Sequence, residues 1–488
     1  MMKKFPSPDT QRRCLFLFPF LFIYMLLACS GTPPAQQGTE VPARPAEKPA
    51  EGPAETLPED TRPTTEGILS EVITLLNAGE YDKALEALDR IEKDGLSSGD
   101  IRLLRASVLI SAGRSADARK LVQEVLSDDR NNTEALFVLA AIEGSAGNER
   151  AQRSTLERIV QADPSHADAL TSLGEMSLSS KSYRDAASFF DRALAADPEH
   201  GEALVGRAEV YRQNNDPRNA EASLNKAVTL YPQWAAPRSE RARLYRNAGF
   251  PEDALRDLDR AKQLAPGDYW IAIDRGNVLL DLNRKKDALE EFSRAIDIDQ
   301  GNFLAYVYSA GIKDEFGDYD GAERDYQRLC QLKPEYYFAF EGLGVLKMRK
   351  GEWEAAKNAF LEAHKYAPEE LNYVFLAAAS WMRAGRPSDP KQFIARILPT
   401  LERESIEWHM LRLYHDLSGD VDMAIRIDRE ASTDKKAQML FYLAEYYDIR
   451  GNKNLANRYY LQVRDLGRRG MVEWRLNEWA IESRGIQG

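Results

Sequence analysis

Few side chains in this chain have the type and spacing that chemistry requires. Five histidines are spread over 488 residues. The closest two, His409 and His415, lie six apart, which turns them about 240° around a helix and keeps them off one metal ion. His166 and His200 sit 34 residues apart at matching places, where exposed linkers are expected, and His364 stands alone. Of three cysteines, Cys14 and Cys29 lie near the start, and Cys330 has no cysteine close by. Neither a zinc set nor a disulfide framework follows from that spacing. The phosphate-cradling G-x-x-x-x-G-K-[ST], the zinc-binding H-E-x-x-H and the nucleophile turn G-x-S-x-G do not occur. Gly342-Leu343-Gly344 falls within an apolar stripe and reads as helix packing. The expectation is a non-enzymatic chain with no catalytic residue, no metal and no cofactor. A net charge of −12 argues against nucleic acid as a partner.

What recurs is spacing. Gly79, Gly113, Gly147, Gly249, Gly317, Gly351, Gly385 and Gly419 keep a 34-residue ruler, with Lys181, Asn215 and Asn283 on the remaining marks. Five residues later a second series runs through Ala84, Ala118, Ala186, Ala220, Ala254, Ala288, Ala322, Ala356 and Ala424. Prolines form a third, from Pro164 and Pro198 to Pro334 and Pro368. A period of this length predicts stacked units rather than one closed core. In residues 167–200, Leu170, Leu173 and Gly174 share one helical face, and Ala186, Phe190 and Ala193 share another. Each unit is therefore two helices, closed by a proline that lacks the N–H to continue.

Turn glycine, packing alanine, aromatic and proline in this register resemble the tetratricopeptide repeat, the TPR. Ten units fit from Thr65 to Glu404 without insertion, an eleventh starts near Ser405 and a twelfth near Ala437. Two depart from the pattern. The third has Gln152 at the alanine place, and the tenth has Pro387 and Pro390 there, so its second helix should start late or bend. The resemblance implies an all-α, right-handed superhelical solenoid of about twelve helix pairs over residues 65–468. Residues 469–488 then form a capping helix and tail, with Val472, Leu476 and Trp479 on one face and Glu473, Arg475 and Asn477 toward water. A membrane-surface helix is the other reading of that segment, given Arg464, Arg468, Arg469 and Arg475.

The start of the chain has its own pattern. Lys3, Lys4, Arg12 and Arg13 precede an apolar run from Cys14 to Ala28, the layout of a signal peptide. Leu26-Leu27-Ala28-Cys29 is similar to the lipobox of bacterial lipoproteins. That resemblance implies a signal peptide at 1–28, cleavage before Cys29, its acylation, and a bilayer as partner through that lipid. The plain alternative, a membrane anchor, suffers from a run shorter than the ~20 residues a span needs. Ser30 after the cysteine implies the outer membrane, facing the periplasm. Residues 30–64 hold eight prolines and no aromatic residue. Residues 29–64 are thus expected to be a lipidated cysteine and a disordered tether, reaching on the order of 100 Å.

In TPR proteins the first helices line a concave groove where ligands lie. Register alone puts Glu175, Glu202, Glu209, Arg212, Arg243 and Arg246 there in the fourth to sixth units, and Trp270, Ile273, Val307, Phe338, Met348, Phe375, Met382 and Phe441 further on. Apolar clusters of this kind mark interaction sites. A register shifted by one makes several of them inter-repeat core instead. The function these features imply is a membrane-anchored scaffold of the bacterial cell envelope that binds one or more envelope proteins or peptides in its groove. The alternative is a small-ligand or lipid-binding component associated with an envelope transport system.

Overall fold

The computed structural model describes residues 65–91, 98–385 and 389–486, in two compact units that divide between Leu244 and Tyr245. Cys29, the apolar run, the tether and Pro387 lie outside the described residues. All regular structure among the described residues is helical.

In the first unit α1 (Thr65–Asn77) pairs with α2 (Tyr81–Asp89), α3 (Ser98–Ser111) with α4 (Ser115–Asp128), and α5 (Thr133–Ser145) with α6 (Glu149–Ala162). Next come α7 (Ala167–Ser179) with α8 (Tyr183–Ala196), and α9 (Gly201–Gln213) with α10 (Pro217–Leu230). Helix α11 (Ala235–Asn247) contains the division. The second unit continues with α12 (Pro251–Leu264), then pairs α13 (Tyr269–Asp281) with α14 (Lys285–Ile298) and α15 (Phe303–Glu315) with α16 (Tyr319–Leu332). It goes on with α17 (Phe338–Arg349) and α18 (Trp353–Tyr366), then α19 (Asn372–Arg383) and α20 (Asp389–Ile397). Two last pairs are α21 (Ile406–Asp416) with α22 (Asp420–Arg429), and α23 (Thr433–Ile449) with α24 (Lys453–Leu466). A single helix, α25 (Val472–Ser483), follows them.

The 34-residue ruler marks one backbone conformation. Gly79, Gly113, Gly147 and the later glycines of the series have φ between 72° and 94°, and Lys181, Asn215 and Asn283 have φ of 60°, 58° and 57°. One residue on, the chain turns back. The Glu80 N–H donates to the Leu75 carbonyl at 2.9 Å, and Ser182 donates to Ser177 at 2.8 Å. This is the six-to-one bond of a Schellman ending, which satisfies a carbonyl the helix leaves open. Asparagine tolerates left-handed backbone; lysine gains nothing there and bears the steric cost.

The second series is the crossing of paired helices. Ala84, Ala118, Ala186, Ala220, Ala254, Ala288, Ala322 and Ala356 are buried. Ala424 departs from it: α22 begins one residue after Gly419 rather than two, and Met423 takes the buried place. Aromatic rings fill what glycine leaves. A Cβ on Gly174 would stand 2.7 Å from the Phe190 ring, one on Gly276 2.5 Å from Phe292, and one on Gly344 2.6 Å from Phe360. Gln152, the odd residue of the third unit, fits for the same reason, because its side chain lies against Gly144, where the next unit has Leu178. In the tenth unit α20 begins at Asp389, four residues past Gly385 where most second helices begin two past their turn, and a 3-10 turn at Leu398–Thr400 ends it.

Turn geometry yields a paired expectation. Lys181→Gly relieves the strained turn against the extra entropy of an unfolded glycine, for a net gain of about 0.5–1 kcal/mol. Gly147→Ala loses about 1–2 kcal/mol, because alanine must adopt φ above zero. Urea melts followed by far-ultraviolet circular dichroism should separate the three proteins in that order; coincident curves would remove the turn from the account.

Candidate interaction site

The expected groove residues separate into two groups. Trp270 on α13 is half-buried with its ring edge-on to Tyr269 at 5.1 Å, Val307 on α15 is half-buried, and Phe338 at the start of α17 is 40% exposed. Ile273, Met348, Phe375, Met382 and Phe441 are core, and their placement in an open groove is corrected. Ile273 packs with Phe292 and Ala305 between helix pairs. The other four belong to one large cluster running from α17 to α25.

Shortened units explain that cluster. The second helices α20 and α22 have nine and ten residues against fourteen for most of their kind, and the first helix α21 has eleven against thirteen. With so little between them, α19 packs directly on α23. Phe375 stacks on Tyr442 with ring centres 4.5 Å apart, and the Tyr442 hydroxyl reaches the Asn372 carbonyl. Arg383 donates to both Glu445 oxygens at 2.8 and 3.0 Å and to Asp448 at 2.6 Å, while Tyr460 donates to Glu445 at 2.5 Å. A planar guanidinium suits two carboxylates at once, and here they compensate a cation that is largely out of water.

The charged positions of the first unit are half-buried and mutually satisfied. Arg212 pairs with Glu209 at 2.7 and 2.6 Å, and Arg243 with Glu240 at 2.7 Å, while Glu175 and Glu202 are half-buried. In the second unit Arg246 on α11 pairs with Asp281 on α13. His166 and His200 are not exposed linkers. Each caps a helix, the ring Nδ1 accepting from Ala169 N at 3.3 Å and Ala203 N at 3.2 Å, and His200 is buried with its Nε2 3.1 Å from Asp168. Among the described residues, no group of three or more His, Cys, Asp or Glu side chains could hold a metal ion, and no helix is long and apolar enough to cross a membrane.

The C-terminal helix is where the sequence reading misses most. Helix α25 covers α24 as a cap would, with Leu476 and Ile481 buried, but it also packs on α17 and reaches α15 and α16. Arg475, expected in water, makes a two-pronged pair with Asp314 of α15, its Nη1 2.6 Å from Oδ2. Trp479 meets Tyr319 edge-on at 5.7 Å, and two guanidinium groups stack on it, Arg475 at 4.3 Å and Arg349 of α17 at 4.9 Å. Glu473 and Asn477 are likewise not solvent-facing. The Glu473 side chain is enclosed, accepting from Tyr442 at 2.6 Å and Gln438 at 2.8 Å, and Asn477 donates to the Tyr460 carbonyl at 3.0 Å. Arg464 and Arg468 pair with Glu478 and Asp434, so they are not a free basic face. Asp314, Tyr319 and Arg349 lie up to 161 residues from their partners, and no spacing rule links them.

Two enclosed carboxyls set the electrostatics here. Burial pushes the Glu341 carboxyl up to about 7; the Tyr373 hydroxyl, donating at 2.8 Å, and Arg475 oppose that, while Glu473 and Glu370 add to it. Burial also raises Glu473. A carboxyl raised in the folded state favours folding below its unfolded value, and that contribution disappears as pH climbs through the folded one. The second unit should accordingly lose about 2–3 kcal/mol of stability between pH 5 and pH 8. Glu341→Gln should flatten that slope in urea melts; an unchanged slope would take Glu341 out of the explanation.

The tetratricopeptide repeat family matches residues 69–142, 145–200 and 239–303, and a second tetratricopeptide repeat family matches 177–244. No curated protein matches the sequence. A thermophilic TPR protein of Thermus thermophilus is 23% identical over 38% of this chain and 100% of its own, with a TM-score of 0.34. PilF of Pseudomonas aeruginosa is 21% identical over 43% and 96%, at 0.39. A tetratricopeptide repeat protein of Parabacteroides merdae is 18% identical over 50% and 96%, also at 0.39. The matched segments follow one another from residue 69 to residue 303, and helix pairs of the same design continue past them to α24. Residues 69–142 and 145–303 of this chain are thus tetratricopeptide repeats.

Proposed function

We propose that this TPR protein is a lipid-anchored scaffold of the bacterial cell envelope, held on the periplasmic side of the outer membrane. TPR arrays bind peptide and protein partners, and the coarse role of interaction scaffold rests on that. The observation that carries the finer reading is Leu26-Leu27-Ala28-Cys29 at the end of an apolar run, followed by a proline-rich stretch and then the repeats. Acylated Cys29 would hold the chain to the bilayer, and residues 29–64 would let the array stand away from it. Trp270, Val307 and Phe338 are the accessible remainder of the expected groove and the anchors through which an envelope protein or peptide would dock. A small-ligand or lipid-binding role needs an open apolar channel, and the burial of Ile273, Phe375, Met382 and Phe441 counts against it.

Two measurements test this. Cells expressing the chain are fed an alkyne-bearing fatty acid. The wild type should carry the label and sediment with membranes, and Cys29→Ala should lose both; a label retained by the variant refutes acylation at Cys29. In-cell crosslinking of wild type beside Trp270→Ala/Phe338→Ala should lose one envelope protein in the variant alone. Identical crosslinked sets would remove those two side chains from partner binding.

A further inference from the structure

The surface around Asp314, Tyr319 and Arg349 is already engaged by the chain's own α25, and the way it is engaged is informative. Three features of α25 make the contact. Arg475 offers two parallel N–H donors to the Asp314 carboxylate. Trp479, one helical turn later, lies edge-on to Tyr319. Arg349 covers both rings, 3.6 Å from the centre of Tyr319 and 4.9 Å from that of Trp479. The i, i+4 spacing puts arginine and tryptophan on one helical face. A bidentate arginine–carboxylate pair beside a tryptophan clasped by cations is the chemistry of an interface hot spot.

Other details mark α25 as a docked segment rather than an inseparable part of the core. It joins α24 through residues 467–471, which include Gly467 at φ 66° and Gly470. Its contact with α15–α17 is open on one side, where Arg349 is exposed and the Arg475 side chain is one-third accessible, although the Asp314 side chain beneath is only 8% accessible. The inner side is imperfectly matched. Glu473 is enclosed with only neutral donors on its oxygens, Tyr442 and Gln438, and the Asn477 Oδ1 is buried without a hydrogen-bond partner. Enclosing such groups is costly and opposes docking.

We propose that Asp314, Tyr319 and Arg349 form a receptor for a partner helix that carries an arginine and, four residues later, a tryptophan, and that α25 is its resident, displaceable occupant. The proposal rests on the scaffold reading and gives one docking surface a defined ligand chemistry. In the resting chain the receptor is covered; a protein presenting the same Arg–Trp face exchanges for α25, and uncovering is part of binding.

A fluorescein-labelled peptide of residues 470–486 serves as probe, titrated by anisotropy into the full chain. Wild type should bind it weakly, because α25 competes at high effective concentration. Arg475→Ala/Trp479→Ala in the chain weakens the resident helix and should tighten peptide binding at least tenfold. Adding Asp314→Asn and Arg349→Ala to that variant should abolish it, and a peptide with Arg475 replaced by Glu should not bind. Binding no tighter in the double variant, or unaltered by loss of Asp314 and Arg349, overturns the proposal. Hydrogen exchange on the unaltered chain gives a readout independent of any variant's folding. Amides of α25 should exchange faster than those of α24, and equal protection along both helices overturns displaceability. Failure here is distinguishable from failure of the scaffold reading, which is decided by Cys29 labelling and by capture through Trp270 and Phe338.

Discussion

A pair of helices crossing at one small residue cannot cover its own apolar faces, and the architecture follows from that constraint. Ala186 lets α7 and α8 approach closely enough for Phe190 to settle against Gly174, but the same ring also meets Gly206 on α9. One aromatic side chain thus fastens a pair internally and binds it to the next. Phe292 and Phe360 lie against Gly276 and Gly344 in the same way. Since each pair depends on its neighbour, stability is distributed along the array rather than concentrated in a centre. Where the pattern is altered, the compensation is local: Gln152 is admitted because Gly144 has no side chain.

The same constraint accounts for the irregular region. Helices α20 to α22 are too short to bury what a full unit buries, so α19 reaches past them to α23. That direct contact converts residues that a regular register would leave facing a groove into core, Phe375 against Tyr442 being the clearest case. It also places Arg383 between Glu445 and Asp448. Once buried, that cation requires both carboxylates, because removing one partner strands the other charge away from water. Short helices and a polar network are therefore two aspects of one deviation.

Most of the fold was legible in the sequence because periodicity reports it directly. Left-handed turns favour glycine or asparagine, helix crossings favour alanine, and both recur on a 34-residue ruler. The late start of α20 could be read from prolines for the same reason. The binding surface was less legible. Register assigned Ile273, Phe375 and Phe441 to the first helices, which is where they are, but a first helix has two buried flanks as well as one open face, and a shift of one residue moves a side chain about 100° between them. The Asp314–Arg475 pair carried no signal, since 161 residues separate its members and nothing in either neighbourhood names the other. Glu473 and Asn477 were misread for a physical reason. Polarity predicts exposure only where no partner waits, and Tyr442, Gln438 and the Tyr460 carbonyl were waiting.

That misreading separates two tasks a terminal helix can perform. A helix whose single task is to cover the last apolar face needs leucine and isoleucine inward and charge outward, as Leu476 and Ile481 provide toward α23 and α24. Nothing in that task asks for a carboxyl enclosed without a cation, or for an arginine and a tryptophan reaching α15 and α16. Those residues add electrostatic cost on one face and specific recognition on the other. Recognition that is specific and only moderately favourable is what a reversible contact requires, whereas a permanent cap gains most from plain apolar burial. Within α25 the two faces therefore answer to different constraints: the leucine face completes the repeat array, and the Arg475–Trp479 face has the composition of a ligand.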